Sequence, residues 1–103
     1  MNIGCDIVEN NRLKNKNQEF IDYVLTEKEK LLYKEKGLSF LCGRFAVKEA
    51  IMKVLPNTKD LNFLDFEILN DSLGSPYVVN RPDIKISISH EKNYTVAVAL
   101  LVK

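Results

Sequence analysis

The chain has 103 residues, 46% hydrophobic and 28% charged, with 4 Gly and 3 Pro, which is the composition of one ordinary folded domain. Fifteen Lys and Arg against fourteen Asp and Glu leave a formal net charge of +1, so no global field draws nucleic acid or an anionic membrane, and any polyanion site must be local. The two cysteines, Cys5 and Cys42, stand singly, without the CxxC spacing of a zinc or redox site, and read as reduced and structural. Met1 leads into Ile3-Gly-Cys-Asp-Ile7 with neither a basic n-region nor a long apolar segment. The expectation is therefore no signal peptide, no membrane span and a cytoplasmic location.

Residues Asn2 to Val8 alternate, Ile3, Cys5 and Ile7 on one side and Gly4 and Asp6 on the other, which reads as a short strand with Asp6 turned away from the greasier face. From Asn10 to Lys36 the pattern is helical and polar, broken near Thr26, where Thr26 and Glu29 have the spacing of a capping box; two short helices are expected. Gly37 offers a C-cap, and Ser39 can cap a third and longest helix running to about Leu55 and ended by Pro56. Beyond it, Leu61 to Leu69 reads as a strand, Asp71 to Pro76 as a turn, and Ile84 to His90 and Thr95 to Val102 as a terminal hairpin. Strand, helices, then strands, without alternating βα units, favours a single α+β domain over residues 1–103, an antiparallel sheet packed against a long helix and shorter ones. In the last strand Val96, Val98, Leu100 and Val102 fill one face, and Ala97, Ala99 and Leu101 make the other apolar too. Such a strand is either central within one subunit or covered by another in a homo-oligomer. A chain this short buries only about two thirds of its unfolded surface, so an oligomer would relieve a small core.

The third helix carries the first chemical signal. At the helical repeat Phe45, Glu49 and Lys53 stack along one side, and Glu49 is flanked by Phe45, Ala46 and Ala50, so its carboxylate emerges beside an apolar stripe. The spacing alone leaves two readings: an exposed i,i+4 ion pair with Lys53 worth roughly a few tenths of a kcal/mol, or a functional carboxylate. Gly43 inside the helix costs about 1 kcal/mol relative to alanine and needs a reason, either close approach of a ligand or helix-on-strand packing. Ile84, Ile86 and Ile88 set the inner face of their strand, and His90 continues it into the turn, where the imidazole can reach a ligand or cap the hairpin. On its own the basic run of Arg12, Lys14 and Lys16 reads first as an ordinary solvated helix face, since such charge runs are common, with a docking surface as the alternative.

Taken together, Gly4-x-Asp6-Ile7 with Glu9 and Arg12, Gly43-Arg44-Phe45-Ala46-x-Lys48-Glu49-Ala50 with Lys53, Gly74-x-Pro76, and Ser87-Ile88-Ser89-His90 resemble the holo-acyl-carrier-protein synthases, which have a 4′-phosphopantetheinyl transferase fold. The resemblance runs in family order from the first residues to the last strand. It implies transfer of 4′-phosphopantetheine from coenzyme A to a serine of an apo acyl carrier protein, with release of 3′,5′-ADP, for fatty acid biosynthesis. It further implies Mg²⁺ held by Asp6 and Glu49, a typical carboxylate complement for that ion, with Asp6, Glu49 and Lys53 as the catalytic set. By the same resemblance Lys53 neutralises phosphates, Glu49 accepts the serine proton directly or through a metal-bound water, and Arg44, Ser87, His90, Gly74 and Pro76 lie near the coenzyme. Arg12, Lys14 and Lys16 would meet the acidic recognition helix of the carrier, and the family's trimer would place the coenzyme between neighbouring subunits.

Two departures stand out. The family's glycine-rich stretch after the long helix is replaced by Pro56-Asn57-Thr58, and Ser75 stands where many members have lysine, with Lys59 or Lys85 as possible replacements. The rival readings are a noncatalytic coenzyme A or nucleotide-binding module of the same fold and a simple oligomerising adaptor. Loss of a metal carboxylate would favour the former, yet both Asp6 and Glu49 are present.

Overall fold

A computed structural model describes residues 1–56 and 58–102; Asn57, in the expected coenzyme-contacting loop, and Lys103 lie outside them. Strand β1 (Asn2–Glu9) is followed by a 3₁₀ turn, Asn10–Leu13, and by helices α1 (Gln18–Val24), α2 (Glu27–Lys36) and α3 (Leu38–Val54). Strands β2 (Ile68–Asn70), β3 (Pro76–Val78), β4 (Ile84–His90) and β5 (Tyr94–Leu101) complete the chain. The order β1-β5-β4 forms one antiparallel sheet and β2-β3 a separate hairpin, the α+β arrangement that the element order predicts.

Helix α3 lies across one face of the main sheet. Its buried side chains Leu41, Ala46, Val47, Ala50, Ile51 and Val54 meet Val8, Ala97, Ala99 and Leu101 in the core. Two glycines permit this contact. A Cβ at Gly4 would sit 2.5 Å from the Ala50 carbonyl oxygen, so only glycine lets β1 approach α3 so closely. A Cβ at Gly43 would come within 3.1 Å of the His90 ring, which is why glycine stands inside this helix. Of the two readings of Gly43, helix-on-strand packing is the one observed: the strand residues it admits are His90 and Ile88.

The alternation of β1 is as expected, but its greasy side faces outward. Gly4 and Val8 are buried under α3, whereas Ile3 and Ile7 are 72% and 60% exposed. In register with them, Val96, Val98 and Leu100 on β5 are only half-buried, while Ala97, Ala99 and Leu101 form the dry side. The outer face of the sheet is thus a continuous apolar surface.

Three local expectations need correction. Thr26 and Glu29 do form a capping box at α2, but the polar stretch from Asn10 is not one helical run: Asn15 has φ 65°, and α1 begins only after Asn17, whose side chain accepts from the Phe20 N–H at 2.9 Å. Arg12, Lys14 and Lys16 accordingly sit on a 3₁₀ turn and a loop, not on a helix face. Ser39 does not cap α3, which starts at Leu38 directly after Gly37 at φ 81°; its hydroxyl turns to His90 instead. The strand expected from Leu61 begins only at Ile68, because the Asn62 side chain accepts from the Leu64 N–H at 3.2 Å, the Asp65 side chain accepts from the Asn62 N–H at 2.9 Å, and together they close a 3₁₀ turn over Phe63–Asp65. Asn and Asp readily divert backbone from the strand in this way.

Candidate active site

Asp6 leaves β1 on the side that faces α3, and Glu49 leaves α3 toward it. Lys53, one turn beyond Glu49, reaches across to β1, donating to the Cys5 carbonyl oxygen at 2.7 Å and standing 3.4 Å from Asp6 Oδ1. The exposed Glu49–Lys53 ion pair is thus not what forms: among the described residues the partner of Lys53 is Asp6. Burial beside the apolar stripe, and then the charge of Asp6, push the Glu49 carboxyl above its usual range, with Lys53 opposing them. Two carboxylates and one half-exposed ammonium therefore share the junction of β1 and α3, with excess negative charge.

A second constellation lies along the same helix toward its N-terminus. A cleft of about 310 Å³ is lined by Lys36, Ser39, Phe40, Gly43, Arg44, Asn70 and His90. The Arg44 guanidinium is buried, stacked 4.2 Å from the Phe40 ring centroid, and it donates to the Ile68 carbonyl at 3.1 Å and to Asn70 Oδ1 at 2.6 Å. Burial lowers its pKa to about 10, which leaves it charged at neutral pH. Asn70 in turn donates to the Gly74 carbonyl at 2.9 Å, tying Arg44 to the Asp71–Ser75 turn. Gly74 has φ 91°, a conformation glycine adopts without strain. His90 closes the other side, its Nδ1 3.2 Å from Thr95 Oγ1 and 3.3 Å from Ser39 Oγ.

The structure therefore gathers Asp6, Glu49 and Lys53 at one end of α3, and Arg44, Gly74 and His90 at the other. It does not bring Ser87 to them within one chain. Ser87 pairs with Val98, whose opposite partner is Cys5, so it belongs to the outer face of the sheet. Pro76 opens β3 and lines a separate groove with Tyr77, Arg81 and Lys85. Arg12 and Lys14 are exposed, and the Lys16 ammonium lies 5.0 Å from the Phe20 ring centroid. Sequence reasoning missed Lys36, Phe40 and Asn70; the spacing of Phe40 and Arg44, one helical turn apart, was the available signal for the stack.

A model of the 4′-phosphopantetheinyl transferase superfamily matches residues 2–99. The chain belongs to this family. A holo-acyl-carrier-protein synthase of Geobacillus sp. (strain WCH70) is 41% identical over 111 residues, covering 96% of this chain and 93% of the relative. One from Mycoplasma capricolum subsp. capricolum is 45% identical over 105 residues, covering 96% and 92%. Among solved structures, a Bacillus anthracis holo-acyl-carrier-protein synthase in complex with CoA (3′,5′-ADP) is similar at a TM-score of 0.84 and 38% identity, over 94% of this chain and 91% of that one. The Helicobacter pylori holo-acyl-carrier-protein synthase in complex with coenzyme A gives 0.81 at 29% identity, over 97% and 99%. The transferase fold expected from the motifs is the fold observed.

Proposed function

We propose that this protein is a phosphopantetheinyl transferase that moves the 4′-phosphopantetheine group of coenzyme A onto a serine of an apo acyl carrier protein, giving the holo carrier for fatty acid synthesis in the cytoplasm. Family membership and the likeness to holo-acyl-carrier-protein synthases support the reaction class. The observation that carries the site is the Asp6, Glu49 and Lys53 group, a carboxylate pair with one cation at the meeting of β1 and α3.

The donor set fits Mg²⁺. Hard oxygen ligands in this number are what that ion takes from a protein, its remaining positions going to water and phosphate. Burial, and then the charge of Asp6, raise the Glu49 pKa, and a cation bound by both carboxylates would relieve that repulsion. Asp6 and Glu49 would hold the ion, which supplies neutralisation of the coenzyme pyrophosphate. Everything else falls to the protein. Lys53, held against β1 by the Cys5 carbonyl, presents its ammonium to phosphate oxygens. Arg44, Lys36 and His90 line a cleft suited to the anionic nucleotide end. The serine oxygen forms a new bond to the phosphorus that bears pantetheine, the bond from that phosphorus to 3′,5′-ADP breaks, and Glu49, whose semi-buried setting raises its basicity, takes the serine proton.

The exposed Arg12, Lys14 and Lys16 would supply positive charge for an acidic carrier helix, steering encounter in a salt-dependent way. The outward apolar face built by Ile3, Ile7, Val96, Val98 and Leu100 supports a homo-oligomer, which we take to be the family's trimer with the coenzyme between subunits. In that assembly Ser87 and Pro76 serve a neighbouring subunit's site. No helix among the described residues is long and apolar enough to cross a membrane.

The test is the intact mass of an apo acyl carrier protein incubated with the protein, coenzyme A and Mg²⁺. A gain of one phosphopantetheine group, absent with chelator and with Glu49→Gln, is the expected result. Coenzyme binding without any gain would reduce the protein to a binding module.

A further inference from the structure

The chain contains a single histidine, and the bonds around it fix where its proton sits. Asn10, at the end of β1, turns its side-chain nitrogen to two backbone carbonyls, those of Glu91 at 3.4 Å and Lys92 at 3.3 Å. Two carbonyls accept only from an amide NH₂, so the orientation of Asn10 is determined and its Oδ1 faces Thr95. That oxygen is an acceptor alone. The Thr95 hydroxyl, 2.8 Å away, must therefore donate its one proton to Asn10. What Thr95, fully buried, then offers to His90 Nδ1 in direct contact at 3.2 Å is a lone pair. An unprotonated Nδ1 would set two lone pairs against each other there. Ser39, also 3.3 Å from Nδ1, lies at the exposed rim, where its hydroxyl is free to turn toward solvent.

We propose that Asn10 and Thr95 are positioning residues for His90: their hydrogen-bond chain keeps the ring proton on Nδ1 and holds the Nε2 lone pair at the cleft beside Gly43 and Arg44. Gly43 completes the device, since a Cβ there would meet Nε2 at 3.4 Å and Cε1 at 3.1 Å and push the ring away. The charged groups facing the ring from packed elements are Arg44 on α3 and Lys36 at the end of α2; the neighbouring Glu91 carboxylate is engaged by the Asn93 N–H at 2.9 Å. Burial, with Arg44 adding to it, holds the free imidazole neutral at ordinary pH. An arriving phosphate reverses that preference. Nε2 takes up a proton and donates to the anion, while Nδ1–H keeps its bond to Thr95, so both ring nitrogens of the imidazolium are satisfied. Coenzyme binding thereby consumes a proton at one defined atom.

The identity of the anion rests on the transferase reading, but the tautomer does not, and it is measured on coenzyme-free protein. With one histidine, the ¹⁵N-imidazole spectrum needs no assignment. At about pH 8, where an imidazole is neutral, a protonated-type Nδ1 and an unprotonated-type Nε2 are expected; the reverse pattern overturns the proposal. Thr95→Val should shift the population toward Nε2–H, Thr95→Ser should restore the wild-type pattern, and Ser39→Ala should leave it unchanged. A Thr95→Val protein with the wild-type spectrum also overturns it. In turnover, Thr95→Val should raise the KM for coenzyme A roughly tenfold, the cost of a hydrogen bond to a charged group, with kcat nearly unchanged and Thr95→Ser restoring KM. Loss of kcat alone would count against positioning. Should the protein fail to modify any carrier, the transferase reading falls while the spectra still decide the tautomer.

Discussion

Glu49 and Lys53 illustrate how much depends on which neighbour a side chain chooses. Helix spacing pairs them with each other, yet Lys53 leans over to the Cys5 carbonyl and Asp6, leaving Glu49 half-buried and in the field of a second carboxylate. A carboxylate so placed is suited to bind cation and to accept a proton. Glu49→Gln keeps the shape and removes both abilities, so the rate of carrier modification should fall by about 10²- to 10⁴-fold, the usual contribution of a positioned base. Thermal stability should hold or rise, because an uncompensated partly buried charge has gone. A thermal melt run beside the activity assay checks both, and a large drop in Tm would mean that Glu49 holds the fold together. Lys53→Met should chiefly weaken coenzyme binding, since the side chain's stem remains and only the charge offered to phosphate is lost. The residue types at this site were legible in the sequence. The Lys53–Asp6 contact was not, because it joins positions 47 apart that only the sheet-on-helix packing brings together.

Elements are held in register by contacts that leave little room to adjust. Between α3 and the α1–α2 corner, the fully buried Lys48 ammonium donates to Glu29 at 2.6 Å and to the Val24 carbonyl at 2.7 Å. Glu29 also accepts from the backbone N–H groups of Thr26 and Ile68, both at 2.8 Å, so one carboxylate fastens α2, α3 and β2 together. Lys48→Met would strand that carboxylate in the core and should cost about 3–5 kcal/mol. At this size each kcal/mol is worth about 4–8 °C of Tm, so scanning calorimetry resolves the effect. The two glycines of the α3 contact separate stability from function. Gly4→Ala meets a backbone oxygen at 2.5 Å and should lower both Tm and activity, because β1 must lift off α3 and carry Asp6 with it. Gly43→Ala meets a ring that can turn, so helix propensity gains up to about 1 kcal/mol while coenzyme KM rises. The capping box at Thr26, the turn at Gly74 and the terminal hairpin were readable from local chemistry. The short β2 was misjudged because Asn62 and Asp65 close a turn that hydrophobic pattern alone cannot reveal.

For the whole molecule, the decisive feature is a sheet that, among the described residues, has helices on one side only. The buried side of β5 is built from Ala97, Ala99 and Leu101 against α3, but the other side carries Val96, Val98 and Leu100 beside Ile3 and Ile7, with Ser87 and Ser89 along the β4 edge. Single exposed apolar residues are unremarkable, whereas a contiguous row across two strands of a small domain calls for a cover. The sequence of β5 signals this in advance, since neither face is polar. It could not show that β1 turns its own apolar residues to the same side, which follows from Gly4 being the residue that fits beneath α3. A homo-oligomer would cover the face with a surface of matching character and set the Ser87 side of one chain against a neighbour. Val98, at the centre of the patch and flanked in register by Cys5 and Ser87, is the position to challenge. Val98→Lys leaves the α3 packing untouched and places a charge where a dry contact is needed. Light scattering should then report a monomer in place of an oligomer, with far-ultraviolet dichroism unchanged. If the site is shared between subunits, carrier modification should disappear with the assembly; a monomer of undiminished activity would place every necessary residue within one chain.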